Sequence, residues 1–236
     1  MPADAPPRLL HLGCGLIAPP EWHNVDGSWG AWFAQHRKLR RFLETLHVLP
    51  KETSNTPWPA NIQVFDLRHQ LPFPDNSFDA CFSSHLIEHL FRNDALALLK
   101  EIHRVLKPGG ACRTLVPDFR AMVEEYVGQR TLGVWYQKEQ SASDDDPARR
   151  FMVRLHARVE TAPRGWRQKF YSGFGDFQTH KWMYDGPSLV KLMTDAGFTD
   201  CREMALHQSA IPHIDKVEMP SRVDNGAGVI AEGTKS

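Results

Sequence analysis

The chain has 236 residues, 28 of them basic and 28 acidic, with 42% hydrophobic and 24% charged residues. That length suits one large domain or one domain with a substantial insertion, and the composition is ordinary for a soluble globular protein. Zero net charge excludes a chain-wide attraction to nucleic acid or anionic membrane, and no apolar run approaches the roughly 20 residues that span a bilayer.

The opening stretch, MPADAPPR, lacks the basic-then-apolar layout of a secretory signal. Cys14, Cys81, Cys112 and Cys201 lie far apart without a C-x-x-C pair. Three of them sit in or beside apolar strand-like runs, which predicts reduced thiols and a cytoplasmic setting.

In chain order, RLLHL (8–12), HNVD (23–26), NIQVFD (61–66), FDACFSS (78–84) and ACRTLVPD (111–118) read as five short strands. Short, largely apolar strands of this kind fit a parallel sheet covered on both faces. The clearest helix follows the fourth strand. Asp94 is its expected N-cap, and Ala95, Leu98, Leu99, Ile102, Val105 and Leu106 recur at helical spacing up to Lys107 and Pro108-Gly109. Strand, helix and strand in that order imply a right-handed parallel crossover.

Residues 119–180 interrupt the alternation, with helical patterns in FRAMVEEYVGQ and ARRFMVRLHARVE around the acidic loop SASDDDP. DGPSLVKLMTDAGF then reads as a helix with Pro187 in its first turn and Gly197 at its end, and TDCREMAL and GAGVIAEGT as two last strands.

Gly13 and Gly15 stand immediately after the first strand. Open α/β sheets bind ligands beyond the carboxyl ends of their strands, and glycines there permit sharp turns and close approach. Gly13-x-Gly15-x-x-Ala18 also meets a loose dinucleotide pattern. However, Pro19-Pro20 truncates the helix that should receive a pyrophosphate, and Asp26 comes 13 positions after Gly13 instead of about 20. A ligand with ribose and base but no phosphate fits better than NAD. Asp26, closing the second strand, is placed to accept ribose hydroxyls, and Asp66, closing the third, to accept an adenine amino group. A loop-capping role is the plain alternative for each carboxylate.

With these features the chain resembles the class I S-adenosylmethionine-dependent methyltransferases. LLHLGCG resembles their first motif and NVDGS the end of strand two. FDLRHQLPFPDNSFDACFSSHLIEHL and LKEIHRVLKPGGACRTLVPD resemble the segments of strands three to five, and HKWMYDGPSLVKLMTDAGF the later helix. The resemblance implies a Rossmann-like, doubly wound, mostly parallel seven-stranded α/β sheet with an antiparallel last strand and a helical or loop insertion after strand five. It implies one domain over 1–236, with an insertion at 27–60 and an acceptor-side lid at 119–184. S-adenosylmethionine is the implied cofactor, held by Gly13, Cys14, Gly15, Asp26, Asp66, Leu67, Ser83, Ser84 and His85. The chain departs from the pattern at His11, where the family carries an acid, in lacking a third glycine, and in the 40 positions between Asp26 and Asp66.

His85-Leu-Ile-Glu88-His89 also spells an inverted zinc-peptidase signature. A zinc peptidase needs both histidines on one well-formed helix and a third ligand downstream. No further zinc motif stands out, so the expectation is no metal, with Mg²⁺ at Asp118 compatible but not compelled. For a hydroxyl acceptor that must lose a proton, His85 is the first candidate base, because histidine titrates near neutrality. His89 and Asp118 follow; His89 is equally readable as a hydrogen bond under the sheet, and Asp118 as a base, a metal ligand or a helix cap. Glu88 reads as an orienting group.

Residues 166–184 hold seven aromatics interrupted by Gly173 and Gly175, which suits a lid or acceptor platform as well as a covered core edge. His180 within it is a further candidate base. The arginines at 149, 150, 154, 158, 164 and 167 and the cluster HRKLRR (36–41) read as solvated helix faces, so no nucleic-acid partner is expected. The NVDGSW and SSHLIEHL stretches resemble a methyltransferase-11-like bacterial subgroup that accompanies polysaccharide and glycolipid synthesis. That implies a sugar or other small-molecule hydroxyl acceptor, with a small-molecule N- or O-methyltransferase of secondary metabolism next and an NAD-dependent oxidoreductase last. A homodimer is compatible with all three.

Overall fold

The computed structural model describes residues 6–46, 56–132, 147–155, 179–223 and 227–236. Seven strands form one sheet: β1 (Leu9–Leu12), β2 (Trp22–Asp26), β3 (Ile62–Val64), β4 (Phe78–Ser84), β5 (Leu106–Pro117), β6 (Thr199–Met204) and β7 (Gly228–Thr234). Their order is β3-β2-β1-β4-β5-β7-β6. The pairs β1–β2, β1–β4, β2–β3 and β4–β5 are parallel, and β7 runs antiparallel to both β5 and β6. The expected mostly parallel Rossmann-like sheet with an antiparallel last strand is the fold observed.

The six described helices are α1 (Trp29–Gln35), α2 (Arg37–Thr45), α3 (Arg92–Val105), α4 (Phe119–Tyr126), α5 (Pro147–Arg154) and α6 (Gly186–Asp195). Helices α3 and α6 cover one sheet face. Leu98, Leu99, Ile102 and Val105 of α3, with Leu189, Leu192 and Met193 of α6, pack on Leu10, Leu12, Cys81 and Val116. The other face packs Leu9, Trp22, Phe82 and Leu115 on Ile211, Ile214 and Val217 of the segment between β6 and β7. Both faces are therefore dry, as a parallel sheet requires. Among the described residues no helix is long and apolar enough to cross a membrane.

Two local expectations are corrected. Helix α3 starts earlier than its apolar periodicity suggested: Phe91 is the N-cap, with extended backbone and no capping side-chain bond, and Asp94 lies in the first turn. There its charge still favours the positive end of the helix dipole. Strand β5 begins at Leu106, and Pro108-Gly109-Gly110 lies inside it. Phe78 pairs with Leu106 and Ala80 with Ala111, so residues 107–110 form a bulge in the ladder. Helix α6 starts as its sequence predicts, with a reciprocal capping box between Asp185 and Ser188 and Pro187 in the first turn.

His11 sits where an acid would be expected, and it is buried against the rings of Trp22 and Phe82. Burial is the main cause that pulls its pKa down to about 4; the charge of Arg222 pushes the same way, while hydrogen bonding to Asn24 and Ile17 opposes. The folded state therefore excludes a proton that the unfolded chain accepts below about pH 6.5. Its stabilising effect is complete above that pH and is lost as the pH falls towards about 4, by about 3 kcal/mol in all. Urea titrations across this window should show a smaller acid-induced loss in His11→Gln than in wild type. Parallel pH dependences in the two proteins would refute this.

Candidate functional site

The loop after β1 is built by two glycines in the left-handed region, Gly13 at φ 65° and Gly15 at φ 55°. The Gly13 and Cys14 amides donate to the Val25 carbonyl at 2.9 and 3.2 Å, folding the loop back over the end of β2. A Cβ at Gly13 would approach the Leu86 side chain to 3.1 Å, whereas one at Gly15 would face open space. The loop thus presses against the β4 exit on one side and is open on the other. The Cys14 thiol is pushed up to about 12, chiefly by burial and then by Asp26, so what Cys14 offers a ligand is its backbone.

Asp26 is 6% exposed. Its Oδ2 accepts the Gly15 amide and its Oδ1 the Ser28 amide, both at 2.8 Å. This carboxylate therefore shapes the turn, and each oxygen retains a further lone pair. The Phe65 amide donates to the Asp26 carbonyl at 3.2 Å, and a Cβ at Gly27 would collide with the Phe65 carbonyl. Asp26 and Asp66 consequently share one rim. Asp66 already has a partner: Arg68 grips it in a two-pronged fork at 2.9 and 2.6 Å, and that hydrogen bonding is the chief cause holding its carboxyl below its ordinary range.

The side chains of Ser83 and Leu67 point into the fold. The Ser83 hydroxyl, 1% exposed, donates to Thr114 Oγ1 between β4 and β5. Strand alternation sends Ser84 to the opposite face, where its hydroxyl is buried without a hydrogen-bond partner among the described residues. Leu67 is part of the main apolar core. Asp118 is the N-cap of α4, accepting the Arg120 amide at 2.9 Å. Burial, as the leading cause, raises its carboxyl. Of its three readings, the helix cap is the one this geometry displays.

His85, Glu88, His89 and His180 come together at the β4 exit. His85 adopts φ 52°, and its amide donates to the Leu115 carbonyl at 2.9 Å. Its Nδ1 lies 3.2 Å from Glu88 Oε1, and His89 Nε2 lies 4.0 Å from the same oxygen. The Glu88 side chain is 0% exposed. Burial on its own would raise this carboxyl, but the close polar contact with His85 and the nearby His85, His89 and His180 outweigh it and hold it below the ordinary range.

The turn Ile87–His89 is a single 3₁₀ turn, not the long helix a zinc peptidase needs. The Lys181 and Trp182 amides both donate to the Glu88 carbonyl, at 2.7 and 3.2 Å, which seats His180 beside His89 with ring centroids 4.9 Å apart. The fold thus brings His180, 91 positions downstream of His89, into a group with Glu88 and His89 close enough to hold an ion. The Tyr184 hydroxyl, read from sequence only as one aromatic among seven, is buried without a hydrogen-bond partner among the described residues. It is pushed up to about 12, mainly by burial and then by Glu88. The rest of the aromatic stretch, 166–178, lies outside the described residues.

A cavity of about 540 Å³ lies elsewhere, between α1, α2 and residues 56–60, at the amino end of β3. It is remote from the strand ends that present the glycine turn and His85.

Residues 30–114 match a family model described as a methyltransferase domain. A ubiquinone/menaquinone biosynthesis C-methyltransferase of Desulfotalea psychrophila is 46% identical over 67 residues, 28% of this chain and 26% of that protein. An uncharacterized methyltransferase of Schizosaccharomyces pombe is 31% identical over 109 residues, 44% of this chain and 37% of that protein. The chain thus spans between a quarter and two fifths of the length of these relatives. Among solved structures, a SAM-dependent methyltransferase of Thermotoga maritima, described as a possible histamine N-methyltransferase, aligns with 98% of this chain and 83% of its own at 16% identity and a TM-score of 0.49.

Proposed function

We propose that this chain, which carries a methyltransferase domain match over residues 30–114, is an S-adenosylmethionine-dependent methyltransferase acting on an acceptor hydroxyl. The single observation that carries the reading is the shared rim. The glycine turn, Asp26, Asp66 and His85 all stand at the carboxyl ends of neighbouring strands β1 to β4, where the strand order reverses between β1 and β4. Open α/β sheets bind ligands at such a reversal.

The residues present fit the cofactor. Gly15 leaves open space beside the turn. The Asp26 oxygens, each with one lone pair beyond its backbone donor, suit vicinal ribose hydroxyls. Asp66 keeps its charge in the Arg68 fork and suits an amino group. When bound, S-adenosylmethionine supplies an electrophilic methyl group on a sulfonium.

The chain's own contribution is positioning and proton removal. His85 meets Glu88 through Nδ1, which leaves Nε2 as the atom that takes a proton from the acceptor hydroxyl. Glu88 orients the ring and its charge offsets the imidazolium that forms, the same division of roles as base and orienter in hydrolase triads. A single domain with inserts at 27–60 and, on the acceptor side, 119–184 belongs to the same reading. We place a sugar hydroxyl first, because aromatic rings such as Trp182, 44% exposed near the cluster, suit a sugar face. The Desulfotalea relative is named a C-methyltransferase, and a carbon acceptor would use the same base to remove a proton from carbon.

Calorimetry with S-adenosylhomocysteine tests the cofactor half. Wild type should bind it, and Asp26→Ala should weaken binding about tenfold or more, the effect of losing a hydrogen-bonding carboxylate at 1–3 kcal/mol. No heat from folded wild type would refute the reading, and unchanged affinity in the variant would refute the ribose placement. A panel of saccharide, small-phenol and quinone-precursor acceptors with labelled methyl donor separates the acceptor classes.

A further inference from the structure

We infer that Glu88, His89 and His180 form a binding site for one first-row divalent cation, with zinc the best match. The donor set is one carboxylate and two imidazoles, which leaves a coordination position open for a water or a substrate oxygen. One ligand atom from each residue lies within 4.8 Å of those of the other two. Tetrahedral zinc at about 2.0–2.1 Å from each donor needs separations of roughly 3.3 Å, so a small inward rotation of the rings closes the site.

A second observation points to a ligand. Glu88 is wholly buried, yet neither of its oxygens accepts a well-aligned hydrogen bond among the described residues. A desolvated carboxylate left in that state is costly, and a cation would satisfy it. The backbone is already set for this purpose. Two amides from Lys181 and Trp182 hold the 180–182 stretch against the Glu88 carbonyl, so two of the three donors come from one turn and the third arrives pre-positioned. The Tyr184 hydroxyl, whose pKa Glu88 helps to raise, is a further buried polar atom without a hydrogen-bond partner among the described residues. His85 touches Glu88 through Oε1, so the second oxygen remains for the ion. The inference stands apart from methyl transfer: a chain that bound zinc here and methylated nothing would still satisfy it.

The full-length protein, stripped with a chelator, is titrated with zinc sulfate by calorimetry, and its cobalt(II) form is examined by absorption. Wild type should take up one equivalent and give the intense visible bands of four-coordinate cobalt. Glu88→Gln and His180→Ala should each weaken zinc binding at least 100-fold, while His69→Ala, at an exposed histidine, should bind as wild type does. Should Glu88→Gln fail to fold, His89→Ala takes its place. No uptake by folded wild type, or affinity retained by either ligand variant, overturns the site.

Discussion

Turnover in His85→Asn is expected to fall by about 10²–10⁴-fold, the usual contribution of a positioned acid–base group, while S-adenosylhomocysteine affinity stays within a few-fold. Asparagine is the right probe because His85 occupies the left-handed region at φ 52°. Asparagine tolerates that conformation, whereas alanine adds backbone strain of roughly 1–2 kcal/mol. The ring's position is fixed from three sides. Its amide is tied to Leu115, Nδ1 faces Glu88, and Leu86 beside it packs under Gly13, the first glycine of the turn. Loss of the ring removes the base without disturbing Asp26 or the turn. The assay is labelled-methyl transfer to the acceptor found in the panel, alongside calorimetry on the same preparation. Normal turnover in folded His85→Asn would assign proton removal to another group, and a matched collapse of cofactor affinity would make His85 a binding residue instead.

Arg113→Ala should destabilise the fold by about 3–5 kcal/mol, the cost of leaving a buried partner charge uncompensated. For a chain of this size that corresponds to a fall in Tm of roughly 10 °C or more. Arg113 projects from the centre of β5 with a side chain 0% exposed, as is its partner Glu218. Every one of its five N–H donors is occupied. Nε and Nη2 reach Glu218 at 2.7 and 2.9 Å, Nη1 reaches Glu232 at 3.0 Å and the Gln208 carbonyl at 3.2 Å, and Nη2 reaches the Ala205 carbonyl at 2.8 Å. Glu218 also accepts the His207 amide.

This network fastens residues 205–218 over one sheet face, where Ile211, Ile214 and Val217 complete the second apolar layer. Replacing both members of the main pair by apolar residues of similar volume, Arg113→Met with Glu218→Leu, should recover part of the loss, because the wholly buried Glu218 charge is then gone and only Glu232, 14% exposed, loses its partner. Thermal and urea unfolding of the single and double variants decide it. A single variant within about 1 kcal/mol of wild type would show that water reaches the pair.

The strand ends were legible in the chain because local chemistry writes them. Glycines at 13 and 15 are needed only where backbone turns into the left-handed region, and both do so. Apolar runs of four to seven residues bounded by turn formers became β1, β4 and β7. Pro187 in the first turn and Gly197, at φ 104°, marked both ends of α6 for the same reason: helix ends are set by near neighbours in sequence. Boundaries that depend on distant pairing were less legible. The start of β5 at Leu106 is set by its ladder with Phe78, and no residue near 106 announces it.

The sequence by itself therefore determined the alternation of strands and helices, the glycine turn with its two rim carboxylates, and the presence of His85 at the β4 exit. Only the tertiary structure decided what those groups face. It gave Asp66 to Arg68, Ser83 to Thr114 and Asp118 to the end of α4. It also drew His180 and Tyr184 from a downstream segment to a buried Glu88, and it matched Arg113 with a carboxylate 105 positions away. The physical reason is the range of the forces. Turns, caps and periodicity act over a few residues and can be read along the chain, whereas the partner of a buried charge is selected by burial, which brings together residues that the sequence keeps far apart.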